Sequence, residues 1–275
     1  MSGKKNHWTK EYKTAIKEKK AVFLVYVLLR LFVVAAMVLS FINGNYENLF
    51  FCVLTIVLFT VPAFIEKNFG IDLPDALEVI ILLFIFAAEI LGEMGSYYTR
   101  VPFWDTMLHT INGFLCAAIG FALTDILNRN EKIKFKLSPV FLALVAFCFS
   151  MTIGILWEFF EFFCDCFLGQ DMQKDYVVNS ITSTLMGDGT KAPFVVEGIT
   201  ETIVNGQKLH INGYLDIGLY DTMKDLFVTF IGAIVFSVIG YFYVKTRGKG
   251  KIARMFIPKL KNPKNGEEKD ENKKP

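Results

Sequence analysis

The chain has 275 residues, of which 53% are hydrophobic and only 20% charged, and its mean hydropathy is +0.41. Soluble globular domains seldom carry that balance, so a bilayer is the solvent the composition suits. The net charge is only +2, and the lysines crowd into the first twenty residues, one loop and the tail; that placement excludes a nucleic-acid-binding face and reports orientation across a membrane.

In chain order, residues 1–20 form a basic N-terminus. The apolar run 21–42 that follows is too long for a cleaved signal sequence and reads as an uncleaved first span. Further spans are expected at 48–65, 77–93, 105–127, 138–168 and 221–244. Each approaches the roughly 20 residues that a hydrocarbon core of about 30 Å requires. The fold expected is therefore an all-α polytopic membrane protein of about six transmembrane helices, with a membrane domain over 21–245.

Connections are short apart from the loop 169–220. Within it, Asn205-Gly206 lies between apolar and β-prone residues and predicts a small hairpin. The tail, 246–275, is basic and grows rich in Lys, Glu, Asn and Pro from Lys259 on, with too little apolar surface to fold. Lys67, the Arg129/Lys132/Lys134/Lys136 loop, the N-terminus and the tail all fall on one side, which makes both termini cytoplasmic and the hairpin extracytoplasmic. The protein is expected in a bacterial cytoplasmic membrane as a multi-pass chain. Five cysteines leave one unpaired in any scheme and lie in apolar stretches, so they read as small buried hydrophobes. No internal repeat of the kind common in secondary transporters is visible.

Ionisable residues fall at helical spacing toward one end of four spans. Glu89 and Glu93 sit one turn apart late in the third; Asp105, His109 and Asn112 form one stripe at the start of the fourth. Glu158, Glu161 and Asp165 form another late in the fifth, and Asp221 and Asp225 open the sixth. Alternate spans run in opposite directions, so these ends share one membrane face, the outer one in the orientation above. Carboxylates at helix starts are ordinary caps and dipole partners. So many at one face also repel, and a compensating charge is needed. A divalent metal cation held by Asp105, His109, Glu158, Glu161, Asp165, Asp221 and Asp225 would supply it; Arg100, Lys174 or Lys224 is the alternative source. His109 with Glu158 or Glu161 has the chemistry for acid/base work. Trp104, Trp157 and Tyr220 fit an interfacial aromatic belt, and Gly113, Gly120 and Gly232 suit close helix approach.

The ordered segments Trp104-Asp105 with His109 and Gly113, then Gly154-x-x-Trp157-Glu158-x-x-Glu161 with Asp165, Gly169 and Gln173, then Asp221-Thr222-Met223-x-Asp225 with Gly232-Ala233 carry a resemblance. Over most of its length the chain resembles the uncharacterised bacterial YjdF-like inner-membrane family. That resemblance implies a membrane location and a shared polar site, with no reaction attached. More distantly it is similar to VanZ-like membrane proteins, whose pattern has an Asp and a His early, a Glu in the middle and then an Asp, an Asn and a Gly. Thr229 stands where that pattern has Asn.

Three functions remain open. One is cation-dependent binding or modification of a lipid or cell-envelope precursor at the outer surface. The others are an ion- or proton-coupled transporter and a structural or accessory membrane subunit. One-sided placement of the acids favours the first, since a carrier needs a polar route through both halves.

Overall fold

In the computed structural model the described residues are 20–129, 136–187, 189, 192–246, 256–257 and 259–260. The basic N-terminus, most of the Arg129–Lys136 loop and most of the tail lie outside them. The chain divides into two compact units, one of residues 1–153 with 228–275 and one of residues 154–227.

The first unit begins with α1 (Lys20–Ile42), α2 (Tyr46–Leu58) and α3 (Val61–Phe69). Asn45 caps α2, its side-chain oxygen accepting from the Asn48 amide at 3.0 Å. Pro62 occupies the first turn of α3, where a missing N–H costs nothing, and the chain breaks at Phe59-Thr60 just before it. Next come β1 (Ile71–Asp72), α4 (Asp75–Phe86), a π-helix continuing it (Ala87–Met94), the single turn α5 (Tyr97–Arg100) and α6 (Trp104–Arg129). The first half of α7 (Pro139–Leu168) and the part of α8 (Leu219–Lys245) from Val228 complete the unit.

Helix α6 serves two apolar cores. Leu115 and Ile119 face a cluster with Val33, Cys52, Phe59, Leu77 and Leu82. Ala117, Ala118 and Phe121 face a second with Leu142, Ala146, Ala233 and Phe236. The rings of Phe114 and Phe236 meet edge to face at 5.0 Å. In lipid such contacts stabilise by close packing rather than by removal from water. The outward side of α1 presents Phe23, Leu28, Leu31, Phe41 and Ile42 to the surroundings, a pattern unsuited to water. Arg30 lies over the Tyr26 ring at 4.3 Å, a cation–π contact.

Among the described residues, five helical stretches are long and apolar enough to cross a membrane: Val22–Ile42, Tyr46–Asn68, Trp104–Asn128, Pro139–Leu168 and Leu219–Lys245. The segment expected as a further span at 77–93 is instead divided between α4 and the π-helix. The tail meets an exception to the expectation that it is unfolded. Ile257 is buried in the second core, Phe256 meets Phe114 edge to face at 5.1 Å, and β8 (Lys259–Leu260) pairs antiparallel with β1.

The second unit holds the later half of α7, the long connection and the first two turns of α8. The connection contains small antiparallel pairs: β2 (Val177–Val178) with β7 (Tyr214–Leu215), β3 (Ser180–Ser183) with β4 (Phe194–Glu197), and β5 (Ile203–Val204) with β6 (Gln207–Lys208). The last is the predicted hairpin, and Asn205 and Gly206 both take positive φ, 51° and 78°, as a two-residue type I′ turn demands. Asn179 ties the pairs together, its amide donating to the carbonyls of Ile199 at 2.9 Å and Asn212 at 3.2 Å.

Candidate functional site

In the first unit, Asp105 and His109 stand one turn apart on α6, with His109 Nε2 3.4 Å from Asp105 Oδ1. His109 is 9% exposed and Asp105 half-buried. The α-helical rise sets this pairing locally: i and i+4 side chains meet on one face. What fixes the turn in place is α8. Thr229, 1% exposed, donates its hydroxyl to the His109 carbonyl at 3.3 Å. A Cβ on Gly113 would come within 2.2 Å of the Thr229 carbonyl oxygen, and one on Gly232 within 2.0 Å of the Thr110 carbonyl oxygen. The two backbones therefore touch where only glycine fits. From the other side, Ser150 of α7 donates to the Gly113 carbonyl at 2.7 Å. Asn112, placed on the same stripe by its spacing, accepts from Cys116 Sγ at 3.3 Å.

In the second unit, Glu158 and Glu161 are both buried on α7. Trp157, expected in an interfacial belt, donates its indole N–H to Glu161 Oε1 at 2.7 Å, so its polar edge serves the carboxylate. Asp165 turns both oxygens to the returning chain: Oδ1 accepts from the Met172 amide at 2.6 Å and Oδ2 from the Gln173 amide at 2.8 Å. Gln173 in turn donates to the Thr222 hydroxyl at 2.6 Å, and the Lys174 amide donates to Asp221 Oδ2 at 2.9 Å. These bonds lock the end of α7 to the start of α8. Asp165 thus anchors the loop, each of its oxygens accepting from a backbone amide.

Lys224 answers the charge of α8. Its Nζ lies 3.8 Å from Asp221 Oδ1 and 3.7 Å from Asp225 Oδ1, and it donates to the Tyr176 hydroxyl at 3.1 Å. Both carboxylates are buried, Asp225 to 1%. Those distances are ion-pair contacts beyond hydrogen-bond range. Closer to the connection, the Asp175 carboxyl is held above its ordinary range, first by desolvation and then by the charges of Asp171, Asp216 and Asp165, with Lys174 opposing.

Every expected site residue is thus accounted for: the fourth-span pair forms, Asp221 and Asp225 share Lys224, and Glu158 and Glu161 are buried. Thr229, Ser150 and Thr222 were not foreseen in these supporting roles. A signal for Thr229 exists, since Asp221, Asp225, Thr229 and Gly232 follow one another at helical spacing.

An uncharacterised protein of Thermotoga maritima is 25% identical over 104 residues, which are 38% of this chain and 52% of that relative. The chain therefore spans about half the length of this curated relative. No solved structure matches. A model described as "Predicted membrane protein (DUF2238)" matches residues 25–246, most of the chain and all of the polar groups described above, so this multi-pass membrane protein belongs to that family.

Proposed function

We propose that this protein binds a divalent cation through Asp105, His109 and Asp225 and uses it to hold, or act on, the anionic head group of a lipid or lipid-linked cell-envelope precursor. The carrying observation is the pairing of half-buried Asp105 with buried His109 at 3.4 Å, held on α6 by the Thr229 hydroxyl. Asp225 precedes Thr229 by one turn of the same helix and so belongs to the same stripe. One imidazole nitrogen and two carboxylates are a donor set that could hold a metal ion, and it suits borderline or hard divalent cations. Such an ion would polarise a phosphoryl or carbonyl oxygen as a Lewis acid. Glu158 would then take or give a proton, because Glu161 already holds the Trp157 indole. Asp165 and Asp221 would position the chain through their backbone amide bonds. The Lys/Arg asymmetry supports a bacterial cytoplasmic membrane, both termini cytoplasmic, six spans once 77–93 is counted, and the site at the outer face. The likeness to VanZ-like proteins agrees with an envelope-related role.

Lys224 supports a second, structural role, since its ammonium supplies some of the charge that a metal would. Metal analysis of the full chain in mild detergent tests the first reading. Retained divalent metal that falls in His109→Ala and in Asp105→Asn, while Glu161→Gln keeps it, is the expected result. Equal metal in wild type and His109→Ala, or no effect of added divalent ions on thermal stability, would leave the structural role.

A further inference from the structure

Glu89 lies outside that donor set and in a backbone the α6 site does not use. The α-helix beginning at Asp75 changes register at Ala87, and Ala87–Met94 is a π-helix. Wide turns of this kind are uncommon and occur frequently where a side chain must be presented for function. Here the segment is clamped on two sides. Cys52 of α2 donates its thiol to Met94 Sδ at 3.6 Å, and the Tyr98 ring of α5 lies so close to Gly92 that a Cβ there would come within 2.4 Å of it. Ile90, which follows Glu89, is part of the first apolar core with Leu115 and Ile119.

The Glu89 side chain is 2% exposed, and its Oε2 has no hydrogen-bond partner among the described residues. Glu93 follows four residues later on the same π-helix, so the nearest charge along the chain has the same sign. Other titratable groups on the elements packed against this segment are Tyr46, Glu47 and Cys52 on α2, Asp75 and Glu78 on α4, Tyr97, Tyr98 and Arg100 on α5, and Cys116, Asp125, Arg129 and the mutually paired Asp105 and His109 on α6. A buried carboxylate with an oxygen lacking a donor is costly in any apolar surroundings and more so in a membrane span. Something must neutralise it.

We infer that Glu89 is a monovalent-cation site, its carboxylate taking up a proton or a sodium ion. It is independent of the divalent donor set: losing that reading leaves this one standing. Either cation supplies what Oε2 lacks, the proton as a covalent O–H and sodium as an ionic partner.

Labelling with a hydrophobic carbodiimide separates these sources on the intact, detergent-purified chain. The reagent adds across its C=N bond to a protonated carboxyl: the carboxyl proton moves to one nitrogen and the oxygen bonds the central carbon. The O-acylisourea then rearranges to a stable N-acylurea without a leaving group. Peptide mass spectrometry should find Glu89 modified at mildly acidic pH, with Glu93→Gln and His109→Ala still labelled and Glu89→Gln blank. If sodium binds, labelling falls about tenfold with sodium at roughly ten times its Kd, and sodium raises the melting temperature of wild type but not of Glu89→Gln. If only the proton binds, labelling falls as pH rises and ignores sodium. A Glu89 unlabelled at every pH, or labelled equally whatever the pH and sodium concentration, overturns the inference.

Discussion

Replacing Gly113 with Ala puts one methyl group between α6 and α8 at the turn that carries His109. The added Cβ would stand 2.2 Å from the Thr229 carbonyl oxygen, whereas ordinary C···O contacts lie at about 3.3 Å or beyond. The obstacle is backbone, which cannot swing aside as a side chain does, so the helices must separate by about 1 Å. Thr229 Oγ1 is already 3.3 Å from the His109 carbonyl oxygen, and that movement breaks the bond. Overpacking of this sort costs about 3 kcal/mol, or roughly 6–12 °C of melting temperature for a chain of this size. Gly232→Ala meets the Thr110 carbonyl at 2.0 Å and strains the same helix pair. Once one methyl has parted the helices, the second finds room, so the double substitution should cost clearly less than the sum. Thermal unfolding in detergent, followed by exposure of the buried Cys52 and Cys164 thiols to a fluorogenic reagent, reads all three variants. A melting temperature for Gly113→Ala within about 1 °C of wild type, or strictly additive losses, would refute direct backbone contact as the constraint.

Asp175→Asn should raise stability at neutral pH. The folded chain holds this carboxyl above its ordinary range, so its contribution favours folding below the unfolded value and is lost as pH rises through the folded one. The advantage of Asn should therefore shrink as pH falls toward the acid range; melting curves at neutral and acid pH check it, and an advantage that grows on acidification contradicts it. Deleting residues 263–275 should leave folded yield unchanged. Ending the chain before Phe256 should cost about 3 kcal/mol for the buried Ile257 alone; equal melting temperatures for the two truncations would place Ile257 outside the core.

Elements governed by local periodicity were legible in the sequence. The apolar runs 21–42, 105–127, 138–168 and 221–244 predict helices found at Lys20–Ile42, Trp104–Arg129, Pro139–Leu168 and Leu219–Lys245, because nothing but length and hydropathy decides them. Asn205-Gly206 likewise encodes its own turn. The π-helix was not legible, since Glu89 and Glu93 are spaced as any α-helical stripe would be. The register change is a property of packing, with Tyr98 pressed on Gly92 and Met94 held by Cys52. The anchoring bonds of Asp165 were hidden for a similar reason: its spacing from Glu158 and Glu161 says nothing of the amides of Met172 and Gln173 that return to it. The β3–β4 pair went unseen because its strands are joined by a ten-residue stretch, too long for the Asp188-Gly189 within it to act as a two-residue hairpin loop.

Lys224 decides between the two readings of the acidic stripe on α8. Its ammonium is near enough to Asp221 and Asp225 to offset charge, yet at 3.7–3.8 Å it makes no hydrogen bond to either. An ammonium that only fills in for a missing metal competes with it, and one that is the permanent counter-ion does not. Lys224→Met keeps the length of the aliphatic stem while removing the charge. If the stripe serves a divalent cation, this variant should lose stability without added metal and regain it with metal, and its affinity should exceed that of wild type. A gain of about tenfold corresponds to about 1.4 kcal/mol, a reasonable value for one partly exposed like charge. Isothermal titration with manganese and zinc, beside melting curves with and without each ion, measures both quantities. If Lys224→Met is destabilised and no divalent ion restores it, the lysine is itself the counter-ion. The stripe is then structural, and Asp105 and His109 are a pair that needs no third ligand.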